Sequence, residues 1–139
     1  EVLPWLHKQK IPATLFLNPA YMDGKHFREK PSEKYLTDSE IRHVCECFPL
    51  ITIGSHGWEH VAATEQTKEQ FEEGVRKSVE YIKQLPNFIP YFAYTYGIYT
   101  QDSFRLLLQM DIVPVLVSGG KNYNWSNQSI DRENFKYGD

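Results

Sequence analysis

His56 and His60 stand four residues apart in the segment Ser55-His56-Gly57-Trp58-Glu59-His60. Imidazoles at that spacing can face the same way across one helical turn and ligate a single metal ion. The spacing alone is a weak signal, and two polar residues on a solvated turn would satisfy it equally well. Position adds to it. The pair comes directly after a short apolar run, Leu50-Ile51-Thr52-Ile53-Gly54, that reads as a strand. Such a strand delivers the two histidines to the end of a sheet, where open α/β folds place their chemistry. Gly54 and Gly57 allow tight turning around the pair. The residues by themselves leave both readings open. His7, His26 and His43 have no partner at ligand spacing and read as surface residues.

A second constellation, Phe92-Ala93-Tyr94-Thr95-Tyr96-Gly97, also lies where a strand ends. Tyr91, Tyr94, Tyr96 and Tyr99 crowd this stretch, and the glycine lets the backbone turn sharply. Backbone N–H groups exposed at such a turn can stabilise an oxyanion, and aromatic faces stack on the apolar faces of sugar rings. The alternative is a tyrosine-rich strand end packed onto the core.

The elements that must position these groups are legible. Residues 2–10 read as the tail of a helix broken at Ile11-Pro12, and Ala13-Thr14-Leu15-Phe16-Leu17 as a strand buried on both faces. No periodicity holds over residues 20–36, which read as a long loop. Thr37 to Glu40 forms a capping box for a helix running through Val44 and ending before Pro49. Thr67 and Gln70 form a weaker box, beyond which Phe71, Val75, Val79 and Ile82 recur at helical spacing up to Pro86. Residues 88–93 and 113–118 read as strands. Between them lies a helix capped by Thr100, with Phe104, Leu107 and Leu108 facing inward. The tail from Lys121 is polar, with Trp125 and Phe135 as its main apolar anchors. Alternating strands and helices without internal repeats imply parallel strands joined by right-handed crossovers.

The 139 residues fit one domain, residues 1–139, with 41% hydrophobic residues to build a core. The net charge, 15 − 18 = −3, comes with scattered basic residues, which argues against nucleic acid as a partner. No run approaches the length of a membrane span, and no signal-peptide pattern opens the chain. Because the chain begins with Glu1 rather than Met, an upstream piece is expected to have been removed. The two cysteines, Cys45 and Cys47, diverge on a helix at that spacing, so they read as buried or half-buried thiols without a mutual disulfide.

Taken together, residues 53–60, the helix after them and residues 91–97 resemble the polysaccharide deacetylase (NodB-homology, carbohydrate esterase 4) family. In that family a His-(Ser/Thr)-x-x-His motif supplies two metal ligands and a later segment of Arg-Pro-Pro-Tyr type lines the substrate groove. Ala13 to Leu17 resembles its second strand. The resemblance implies a distorted (β/α) barrel and a hydrolase that removes acetyl groups from N-acetylated sugars of a polysaccharide or oligosaccharide. By that analogy His56 and His60 would bind zinc or a similar divalent ion, Tyr96 would offer its backbone N–H to the oxyanion, and Trp58 and Tyr94 would shape the sugar groove. A cell-envelope or extracellular address is slightly favoured by the same analogy.

The chain also departs from the family pattern. The family's first strand carries an Asp-Asp pair, one a catalytic base and the other a metal ligand, and this chain starts after the place where it should be. Asp23, before Gly24, is not a credible substitute. The closing strand with its histidine acid is likewise expected beyond Asp139. Ala93 stands where many members have an arginine, Thr95 replaces the second proline, and Gly57 replaces the Ser or Thr. The chain thus reads as the middle of an incomplete barrel, weakly active or inactive alone, whose open sheet edge invites self-association. The rival readings are a non-catalytic glycan-binding relative without a metal site, and a metal-dependent hydrolase of the same barrel acting on a non-sugar amide.

Overall fold

The computed structural model describes residues 2–22, 35–117 and, for the backbone, 130–131. The helix α1 (Val2–Lys8) leads into strand β1 (Ala13–Leu17), followed by helix α2 (Asp38–Cys47), strand β2 (Ile51–Ser55), helix α3 (Lys68–Ile82), strand β3 (Phe88–Ala93), helix α4 (Gln101–Gln109), strand β4 (Val113–Leu116) and the short β5 (Ile130–Asp131). The last strand was not legible in the polar tail. Asp23, His26, Trp125 and Phe135 lie outside the described residues.

Local chemistry sets the helix starts. Thr37 Oγ1 accepts from the Glu40 N–H at 3.2 Å while the Thr37 N–H donates to the Glu40 carboxylate at 2.9 Å. Thr67 and Gln70 make the same reciprocal pair at 3.1 and 2.9 Å. Thr100 is boxed as well, with Ser103 in the acidic residue's place. The predicted stripe of α3, Phe71, Val75, Val79 and Ile82, is buried throughout. Each such side chain contributes about 1.5–3 kcal/mol from the apolar surface it removes from water. On α4 the buried apolar residues are Leu106 and Leu107, with Leu108 and Phe104 half-buried, so the inward face is turned slightly from the predicted one.

All strand pairs are parallel and lie in sequence order, β1-β2-β3-β4-β5. A doubly wound sheet reverses its order at a switch point; these strands do not, which is the winding of a (β/α) barrel. β1 pairs with β2 from Ala13↔Ile51 to Leu17↔Ser55. Between β2 and β3 the register slips, from Ile53↔Phe88 to Ser55↔Phe92. The extra β3 residues include Pro90, which has no N–H for the ladder and is tolerated where pairing is already interrupted. Among the described strands β1 is an edge.

Because the strands are parallel, Leu17, Ser55, Ala93 and Leu116 all end at one rim of the sheet. The turns after β1, β2 and β3 therefore meet there. One core cluster beneath this rim gathers Phe71, Val75, Phe92, Tyr94 and Leu107; a second gathers Ile41, Ile51, Ile53, Ile82 and Leu85. Cys45 is buried in the second, but Cys47 is exposed, contrary to the sequence reading, and both thiols are free.

Candidate active site

The β2 exit is built as a rigid hook. The His56 N–H donates to the Leu17 carbonyl at 2.9 Å, extending the β1–β2 ladder by one bond. The Asn18 amide then clamps the turn, donating to the carbonyls of His56 at 2.7 Å and Gly57 at 3.2 Å. Ser55 Oγ, fully buried, lies 2.7 Å from Ser78 Oγ on α3 and accepts the Gly57 N–H at 3.1 Å. The Ala20 N–H donates to the Trp58 carbonyl at 3.1 Å, and the His60 N–H reaches the Tyr21 hydroxyl at 3.3 Å. The turn after β1 thus holds the histidine segment along its whole length.

Gly57 has φ of +90°, and a Cβ there would sit 3.2 Å from the Glu59 carbonyl oxygen. Gly57→Ala is expected to cost about 1–3 kcal/mol through the strained backbone and to move the two imidazoles relative to each other. A lower melting temperature together with weaker Zn²⁺ binding checks this. An unchanged pair of values would show that the turn tolerates a side chain.

The two imidazoles converge. Their ring centroids are 5.1 Å apart with planes at 48°. His56 Nδ1 donates to the Ala93 carbonyl at 2.6 Å, across the gap between the β2 and β3 exits. A neutral imidazole donating from Nδ1 carries its lone pair on Nε2, and a backbone carbonyl fixing the tautomer in this way is the usual second partner of a metal-binding histidine. The arrangement fits a divalent ion held by two nitrogen ligands. Among the described residues no group of three or more His, Cys, Asp or Glu side chains completes the set.

Tyr96 joins this pair. Its ring meets His60 edge-on at 4.8 Å between centroids, and it is 63% exposed. Its backbone is left-handed, φ 56° and ψ 12°, a conformation that costs a non-glycine residue about 1 kcal/mol or more and that clusters at functional sites. Trp58 is half-buried and lines a cleft of about 360 Å³ between the histidine segment and α3, together with His56, Glu59, Gln66 and Phe71. The Lys77 ammonium lies 5.9 Å from the indole centroid.

Tyr94 is placed differently from the sequence expectation. It is 1% exposed, packed among Phe71, Phe92 and Tyr99, with Ser103 Oγ 3.2 Å from its hydroxyl. Burial pushes its pKa up to about 12, so it stays a neutral phenol. It is packed as a core residue. The residues that sequence reasoning missed are Asn18 and Ala93, the latter noted only for the arginine it replaces. Both act through hydrogen bonds to residues some 37–39 positions away, which no local pattern signals.

Comparison with known proteins bears on the fold and the family. No curated protein matches the sequence. Among solved structures, the deacetylase PplD of Streptococcus pyogenes, determined in complex with acetate, superposes with a TM-score of 0.77 at 18% identity, covering 95% of this chain and 56% of its own. IcaB from Ammonifex degensii gives 0.76 at 18% identity, covering 98% and 61%. The BpsB deacetylase domain from Bordetella bronchiseptica gives 0.75 at 14%, covering 96% and 64%. The likeness is one of fold, and the chain spans less than two thirds of each of these proteins. The polysaccharide deacetylase family profile matches residues 1–115. With most of the chain matched and the parallel, sequence-ordered sheet to go with it, this chain belongs to the polysaccharide deacetylase family.

Proposed function

We infer that the protein is a metal-dependent hydrolase that removes acetyl groups from N-acetylated sugars of a polysaccharide or oligosaccharide. The observation that carries this reading is the meeting of His56, His60 and Tyr96 at one rim, with His56 oriented by the Ala93 carbonyl. His56 and His60 would hold zinc or a similar divalent ion, and a further ligand is expected from outside the described residues. When bound, such an ion polarises the acetyl carbonyl and lowers the pKa of a water molecule. The chain's own residues do the positioning. His56 is locked in one tautomer, and Asn18 holds the turn that carries both rings. The Tyr96 backbone N–H, at a strained turn beside His60, would donate to the oxyanion that forms on the acetyl oxygen. Trp58, at the cleft shared with His56, would contact the sugar.

The edge strand β1 supports pairing with another strand or a second copy, which the solution mass would reveal. Among the described residues no helix is long and apolar enough to cross a membrane.

The test is acetate release from N-acetylglucosamine oligosaccharides by the full-length protein. Release that a chelator stops and Zn²⁺ restores is the expected result, with little or none from the 139-residue chain alone. Oligosaccharide binding without release at any metal concentration would instead identify a non-catalytic glycan binder. Release from small non-sugar amides only would identify a different hydrolase.

A further inference from the structure

One wall of the 360 Å³ cleft is the histidine segment, with His56 and Trp58, and the other is α3. Gln70, Gly74 and Lys77 recur at steps of four and three, so they form a single stripe of the helix along that wall. Gly74 stands in the middle of this 15-residue helix. A glycine there weakens a helix relative to alanine, because its backbone loses the most freedom on folding. Packing does not require it. A Cβ built on Gly74 meets nothing closer than Trp58 Cβ at 3.9 Å and Gln66 Oε1 at 4.0 Å, which is ordinary contact, and its φ is not positive. What the glycine does is keep the space between α3 and Trp58 open.

We propose that this cleft, opened by Gly74, is a subsite for a second, non-acidic sugar ring of the bound chain, so that the protein prefers oligosaccharides to single sugars. The inference rests on the deacetylase reading for the reaction, though not for binding. At about 360 Å³ the cleft falls within the range of small-ligand sites, roughly 300–1,000 Å³. The half-buried indole of Trp58 supplies an apolar wall for the face of a sugar ring. Gln66 Nε2 donates to the carbonyls of Val61 at 3.0 Å and Ala62 at 3.4 Å. That leaves Oε1 on the Gly74 side as an acceptor for a hydroxyl. The carboxylates of Glu59, Glu65 and Glu73 also line the cleft, against the Lys77 ammonium and the Arg76 guanidinium that holds Glu73 at 2.7 Å. Such a lining hydrogen-bonds hydroxyls and disfavours an anionic sugar. Because His56 borders the cleft and also faces His60, a chain seated there reaches the imidazole pair.

Calorimetric titration of the full-length protein with the tetrasaccharide of N-acetylglucosamine tests this. Gly74→Leu fills the cleft with a better helix former and should weaken binding by about tenfold or more, the effect of losing about 1.4 kcal/mol of contact. Trp58→Ala removes the facing wall, leaves the helix alone and should weaken binding likewise. Gly74→Ala should melt at or above the temperature of the parent, because no packing demands the glycine. In acetate release, the ratio of kcat/KM for the tetrasaccharide to that for the monosaccharide should fall in Gly74→Leu. Tetrasaccharide affinity unchanged in Gly74→Leu or in Trp58→Ala overturns the subsite even where acetate release is intact, as does a Gly74→Ala protein that melts well below the parent. Binding that Gly74→Leu and Trp58→Ala both weaken, with no acetate released from any substrate, supports the subsite and removes the deacetylase reading instead.

Discussion

His60→Ala is expected to lower kcat/KM for acetate release from N-acetylglucosamine oligosaccharides by about 10³-fold or more. The estimate rests on the several kcal/mol that a bound ion contributes to a charged transition state, with each 1.36 kcal/mol worth a factor of ten. The fold should survive. His60 is half-buried at a rim turn whose backbone bonds come from Tyr21, Asn18 and Ala20, and its ring touches only His56 and the exposed Tyr96 among the ring contacts described. Thermal melting of the metal-free variant should therefore match that of the metal-free parent, while Zn²⁺ titration shows the lost site. Activity retained within tenfold, with Zn²⁺ affinity unchanged, would remove His60 from the ligand set. A melt lowered in step with activity would instead mean that the turn needs the imidazole for folding.

Tyr94→Ala is expected to destabilise the protein by about 3–5 kcal/mol, the range for emptying a fully buried aromatic site. The ring is 1% exposed, stacks on Phe71 at 6.2 Å and meets Phe92 edge-on at 5.3 Å, so neighbours cannot collapse into the space without disturbing the sheet–α3–α4 core. Tyr94→Phe removes only the hydroxyl beside Ser103 and should cost about 0.5–1.5 kcal/mol. Urea unfolding separates the two: the midpoint falls far for alanine and little for phenylalanine, with the slope unchanged. A stable Tyr94→Ala protein with weakened oligosaccharide binding would mean that this ring faces the sugar after all. Nothing in its packing points that way.

Much of the fold could be read from the chain because the signals are local. The Thr37 and Thr67 capping boxes pair residues three apart, and the stripe on α3 repeats within fifteen residues. Apolar runs bounded by turn residues located β1 to β4 to within a residue or two. The candidate site was legible in part: two histidines four residues apart stand directly after a buried strand, although they meet over an irregular bend at Gly57 and not over the expected helical turn. Cys47 shows a local signal left unread. Ile41, Val44 and Cys45 form the buried side of α2, and a residue two positions on from Cys45 must point elsewhere.

Other features depend on partners far along the chain. Four tyrosines fall between residues 91 and 99, and beyond the end of β3 no alternation tells inside from outside. The irregular β2–β3 register and the left-handed turn at Tyr96 send Tyr94 into the core and Tyr96 to the rim. The strand β5 exists only because β4 offers it a partner; two residues of polar tail carry no pattern of their own. The sequence by itself determined the helix starts and the positions of β1 to β4, since each rests on neighbours within a turn or a strand. Only the tertiary structure decided the tautomer of His56 and the grip of Asn18, because a hydrogen bond between strand exits exists only once parallel strands have brought them to one rim.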